Sequence, residues 1–256
     1  SFNVKEIPSE AEVKSYDDLV VPLPEDNHSF NSIALGLMKD LPKPQSGSTA
    51  EQRKRLLEII HAKEYTATTK KVGGEGGVAH FQFALGRDWT VPATVFTPPE
   101  VKGTTLLIAD EGRAKQTTAV TQLMEDGYRV VALDPFFFGE SKIKSRDFLH
   151  VILMHAVGER ALGVQSGQLA AIADWAAEAY GGPVGLQSIG PRLSVSARLA
   201  AVQTEAIQSV TLHDPMTSLK EVITENRGAN HLPEMMCFGL LEAFDLKQIE
   251  ALKLNP

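Results

Sequence analysis

Cysteine is almost missing from this chain: Cys237 stands alone among 256 residues. A lone thiol can close no internal disulfide and cannot build a cysteine-based zinc site, and its neighbours Met235, Met236 and Phe238 mark it as buried. Long apolar runs are missing too. The longest, around Leu106–Ala109 and Val130–Leu133, are strand-sized and far short of the roughly twenty residues a membrane-spanning helix needs, so no membrane span is expected. Positive charge is in deficit, with 25 Lys and Arg against 32 Asp and Glu. The net charge of −7 argues against a partner held by phosphate neutralisation, and no nucleic acid is expected. The first strand-to-helix turn carries neither GxGxxG nor a P-loop pattern, so no cofactor is expected. His213, Asp214 and His231 offer three metal donors, but no HxH or HxxxH spacing supports them, and no metal site is expected. No methionine or charged-then-apolar leader precedes Ser1, as in a processed or excised product, which leaves the compartment open.

What is present divides near residue 64. In the extension, residues 1–64, prolines at Pro8, Pro22, Pro24, Pro42 and Pro44 and the polar run Gln45–Thr49 break the chain into short pieces. One helix is expected there, capped by Ser48 or Thr49, with Leu56, Leu57, Ile59 and Ile60 interleaved among Glu51, Arg53, Lys54 and Arg55. Residues 65–256 change to strands. Val78–Phe83 and Trp89–Thr97, joined through Gly86-Arg87-Asp88, read as an antiparallel edge hairpin. Thr104–Ala109, Thr117–Glu125 and Arg129–Leu133 then form a βαβ unit, followed by a helix over Arg160–Tyr180, a strand over Val184–Gln187, a helix over Arg192–Gln203 and a strand over Ser209–His213. The fold class is α/β, a doubly wound and mostly parallel sheet with an antiparallel N-terminal hairpin.

Ligands of such sheets bind at the carboxyl ends of the strands, which here carry Asp110-Glu111-Gly112-Arg113, Asp134–Ser141, Ser188-Ile189-Gly190 and His213-Asp214. The junction Gln187-Ser188-Ile189-Gly190 resembles a nucleophile elbow, and Gly127–Ser141 resembles the segment before the long crossover of the α/β-hydrolase fold. More narrowly, the Arg53 helix, the hairpin, the Gly158–Gly163 motif and the Pro233–Leu246 tail are similar to acetylxylan-esterase-like carbohydrate esterases, from about Arg53 onward. That resemblance implies a serine esterase deacetylating a carbohydrate or similar neutral small-molecule ester, in a secreted or periplasmic setting. Ser188 would attack the ester carbonyl, His231 accept its proton and Asp214 orient the imidazole, with the N–H groups of Ile189 and Glu111 holding the oxyanion. Phe136 and Phe137 would line an acyl or sugar pocket, or else pack in the core.

The chain departs from the family pattern in three places. Leu186 stands two residues before Ser188, where a small residue is usual; Asp110-Glu111 replaces the common His-Gly of the oxyanion loop; and the histidine after the last strand is absent, as if the last strands were missing. A serine at a strand-to-helix turn also serves as a helix cap, and loop histidines such as His231 are more often solvated than catalytic. The alternative is therefore a non-catalytic α/β-hydrolase-like module, a scaffold or sugar-binding part working with other domains of a larger esterase polypeptide. A fragment lacking its last strands is a further alternative, and it predicts an exposed apolar sheet edge.

Overall fold

Strand and helix periodicities alternate along most of the chain, and in the computed structural model, which describes residues 9–254, they resolve into a mixed sheet with helices on both faces. Pro8 and the first and last residues discussed above lie outside the described residues. Seven strands are ordered β1-β2-β3-β5-β4-β6-β7 among the described residues. They are β1 (Ala67–Gly73), β2 (Val78–Leu85), β3 (Trp89–Phe96), β4 (Gly103–Ala109), β5 (Tyr128–Leu133), β6 (Val184–Ile189) and β7 (Ile207–His213). β1, β2, β3 and β5 pair antiparallel; β5, β4, β6 and β7 pair parallel. The expected hairpin is β2–β3, but it is not the edge. β1, rich in Thr and Lys and almost wholly exposed, lies outside it, and its polar sequence hides the alternation that marks a strand.

The extension contains two short helices besides the expected one: α1 (Tyr16–Leu19), α2 (Phe30–Leu37) and α3 (Thr49–Ile59). α4 (Thr117–Glu125) connects β4 to β5, and α5 (Asp147–Ala156) and α6 (Ala161–Tyr180) connect β5 to β6. α7 (Pro191–Gln203) connects β6 to β7, and α8 (Glu221–Thr224), α9 (Leu240–Ala243) and α10 (Leu246–Ala251) follow the last strand. Among the described residues no helix is long and apolar enough to cross a membrane.

One face of the central strands, with Leu106, Ile108, Val131, Leu133, Val184 and Leu186, packs against α6 and α7 as the main core. The opposite face is dry only under α4, where Leu107, Val130 and Ala132 meet Val120. Beyond α4 that face carries Thr105, Gly185, Gln187, Ser209 and Thr211 along an open groove. The edge strand β7 likewise exposes Gln208, Ser209, Thr211 and His213. A missing-strand sheet was expected to bare an apolar edge; this one is polar, because β6 and β7 alternate instead of running continuously apolar.

α3 closes a second core, in which Leu56 and Ile60 pack with Leu162, Leu199 and Phe244. The chain leaving α3 presses directly on α6. A Cβ at Gly163 would lie 2.1 Å from the Ile60 carbonyl oxygen and 2.6 Å from that of His61. Backbone cannot yield as a side chain can, so Gly163→Ala is expected to cost about 3 kcal/mol, read as a lower urea midpoint at unchanged slope. Gly36→Ala, at a site with nothing within 4 Å, should leave the midpoint unchanged or raised.

Candidate functional site

β6 runs through Ser188 and Ile189 before the chain turns, two residues further than its apolar pattern suggests. Ser188 pairs in register with Ile108 and Leu212, so its side chain points inward on the face shared with Val184 and Leu186. It is 0% exposed, and its Oγ has no hydrogen-bond partner. The expected nucleophile is thus a hydroxyl inside the sheet, not one lifted at the bend.

The bend itself is Gly190, with φ 104° and ψ 158°. Its N–H donates to the His213 carbonyl at 2.9 Å, and Pro191 follows as the first helical residue, a position where a missing N–H costs nothing. A side chain at 190 has no room: its Cβ would lie 2.6 Å from Asp110 Cγ.

Asp110 arrives from the end of β4 and caps α7. Its Oδ2 accepts the Arg192 N–H at 2.9 Å and its Oδ1 the Leu193 N–H at 2.8 Å. These first-turn N–H groups have no partner within the helix, and the carboxylate also lies at the positive end of the helix dipole. Burial nonetheless raises the Asp110 pKa above the usual carboxylate range; the Leu193 and Arg192 N–H bonds and the Arg192 charge pull it down, and the Glu234 charge pushes it up. Arg192 is held from behind. Its Nε and second guanidinium nitrogen donate to the two oxygens of Glu234 at 2.5 and 2.7 Å, and its guanidinium lies 4.6 Å over the Phe138 ring. The Glu234 side chain is fully buried. The chain's own carboxylate therefore fills the space directly above the bend.

The other expected site residues are dispersed. Asp214 follows β7 on an exposed left-handed turn, φ 49°, and His231 lies exposed on a loop where its N–H donates to the Gly228 carbonyl. Among the described residues no hydrogen bond joins the Ser188 hydroxyl to either of them or to His213. Ile189 closes β6 opposite Ala109 and His213, and Glu111 is exposed on the turn after β4. The N–H pair that converges on one acceptor belongs to Arg192 and Leu193 instead. No three His, Cys, Asp or Glu side chains among the described residues are grouped to hold a metal ion.

The two phenylalanines part company. Phe137 is 1% exposed and stacks on Phe136 with centroids 3.9 Å apart. Phe136 meets Trp89 at 4.6 Å, and together they form one wall of a 390 Å³ cleft with Gln82, Asp88, Thr90 and Gln168. Buried amides of α6 hold the Phe136 backbone: its N–H donates to Gln168 at 2.9 Å and its carbonyl accepts from Gln165 at 3.0 Å. The Asp110–Arg192–Glu234 cluster and Trp89 were missed by the sequence reading. Pro191 was the available signal, since a proline at the first helical position places the bend at Gly190.

No family model and no curated protein matches the chain. Solved structures do. A candidate acetyl xylan esterase from Bacteroides fragilis superposes with TM-score 0.67 at 13% identity, covering 92% of this chain and 76% of that one. Acetyl Xylan Esterase 1 from Thermoanaerobacterium sp. JW/SL YS485 gives TM-score 0.58 at 15% identity over 86% and 80% of the two chains. The acetyl xylan esterase from Paenibacillus sp. R4 gives 0.51 at 10% over 86% and 81%. The fold is therefore the α/β-hydrolase fold, an open mixed sheet with flanking helices.

Because folded Asp110 keeps its proton to higher pH than the unfolded chain does, the fold binds more protons in that window and its stability falls as pH rises through it. Urea unfolding across pH, compared between wild type and Asp110→Asn, should show that decline from the ordinary aspartate range upward in wild type and a flatter profile in the variant. Parallel profiles would remove the assigned burial of charge.

Proposed function

We propose that this chain is a non-catalytic α/β-hydrolase-like module that binds a neutral carbohydrate without cleaving an ester. One observation carries the reading: the bend that should bear a nucleophile is Gly190, and Asp110 already occupies the N–H pair beside it. A developing oxyanion there would meet a carboxylate, opposing the stabilisation that ester hydrolysis depends on.

The carbohydrate half of the reading is supported by Trp89, backed by the buried Phe136 ring, as an apolar wall for a sugar's C–H surface, and by the amides and carboxylate that edge the cleft for its hydroxyls. The esterases of similar fold are named for acetylated xylan, which favours a xylan-type oligosaccharide.

The rival is hydrolysis by Ser188, His231 and Asp214 with oxyanion donors at Ile189 and Glu111. It requires Ser188 to leave the sheet and find an imidazole. A chromogenic acetyl ester separates the two: the module turns over nothing above the buffer rate, whereas turnover abolished by Ser188→Ala would reinstate the enzyme. For binding, titration with xylo-oligosaccharides should give a saturable tryptophan fluorescence change that Trp89→Ala abolishes. A change that persists in Trp89→Ala, or none in wild type, would remove the carbohydrate assignment.

A further inference from the structure

Every residue from Ser9 to Phe30 is exposed, yet the segment is not composed like a solvated tail. It carries Tyr16 at 84% exposure, Val21 at 76%, Leu23 at 73% and Phe30 at 95%, with Leu19 between them. Scattered apolar side chains on a surface are ordinary, but a run this dense marks a surface built to be covered. The arm is also partly preformed. Ser15 and Asp18 close a capping box on α1, and the Ser29 hydroxyl accepts the Ser32 N–H at the start of α2, so less ordering entropy is lost when it docks.

Its own body does not cover it. From Ser9 to Phe30 the hydrogen bonds run within the arm, and firm attachment begins only where α2 packs on α8 and Lys43 pairs with Glu242 through both backbone and side chain.

A matching surface lies elsewhere on the molecule. α5 buries Val151 inward but exposes Leu149, Ile152, Leu153 and, just past its end, Val157, which recur at helical spacing along one outer face. Phe238, 69% exposed, lies on the flank of α5 beside His155, with ring centroids 5.3 Å apart. The two surfaces are opposite in charge. The arm from Ser9 to Phe30 holds six carboxylates, Glu10, Glu12, Asp17, Asp18, Glu25 and Asp26, against the single Lys14. The approach to α5 holds Lys142, Lys144 and Arg146, all exposed and, among the described residues, without a carboxylate partner.

We infer that the arm of one copy docks on the outer face of α5 of a second copy, its apolar side chains covering Leu149, Leu153 and Val157 and its carboxylates facing the Lys142–Arg146 run. Both surfaces belong to every chain, so the exchange is reciprocal and closes as a two-fold dimer, each arm seated on the other molecule. Opposite charge sets the direction of approach and makes association faster at low salt, while burial of the apolar side chains holds the complex.

Sedimentation equilibrium of the full chain should show a concentration-dependent dimer. Leu19→Asp on the arm and Leu153→Asp on α5 both change exposed positions, so the fold survives, and each should weaken dimerisation about tenfold or more. Mixing a Leu19→Cys chain with a Leu153→Cys chain and adding a bis-maleimide should give a mixed dimer; burial raises the native Cys237 thiol to about 12, which keeps it out of the reaction. A chain that stays monomeric at all concentrations, a dimer that survives both aspartates, or a Leu19→Cys and Leu153→Cys mixture that gives no mixed dimer would overturn the arm exchange.

Discussion

One carboxylate organises the sheet's working end. Asp110 leaves β4, crosses to α7 and accepts the first-turn N–H groups of Arg192 and Leu193, which the helix itself cannot pair. By doing so it ties the first strand of the βαβ unit to the helix after β6 and shortens the space above Gly190 until no side chain fits. Nucleophile and plug exclude each other sterically. The Arg192–Glu234 pair, wholly buried on its acidic side, and the Phe138 ring beneath the guanidinium hold that arrangement from behind. Breaking a buried pair of this kind strands a charge, so the plug is fixed by more than its own two hydrogen bonds.

Much of the architecture could be read from the residues. Strand and helix periods differ strongly in the central region, and α4 and α7 lie where their apolar spacing and flanking breaks place them. β1 escaped because threonines and lysines facing water carry no apolar alternation, and α1 and α2 escaped because short capped helices in a proline-broken segment have almost none either. The site was less legible for a sharper reason. A strand's end is uncertain by a residue or two, and at an elbow that error moves the proposed nucleophile from the bend to the interior of the sheet. Ser188 lies within β6, before the bend, which Pro191 marks at Gly190. Asp110-Glu111 stood out in place of the usual His-Gly, but no pattern in one sequence says which of two adjacent carboxylates turns inward.

Ser188 shows what a displaced functional expectation looks like physically. A fully buried hydroxyl without a partner is a cost of about 1–3 kcal/mol, carried here inside an otherwise apolar layer. Elsewhere the interior amides and carboxylates are matched. Gln165 and Gln168 clasp Phe136, and Asp134 accepts the N–H groups of Arg113 and Glu140. The loops at the carboxyl ends of the strands are thereby held around the Trp89 cleft as well as around the bend.

The polar face of β6 and β7 has a thermodynamic corollary. A parallel sheet sandwiched throughout uncovers apolar area on both sides when it melts, whereas here the strands beyond α4 release little that water has not already wetted. Heat capacity and denaturant sensitivity scale with newly exposed apolar surface, so this half of the sheet adds little curvature to the molecule's temperature profile, and its melting is governed mainly by the α6–α7 side.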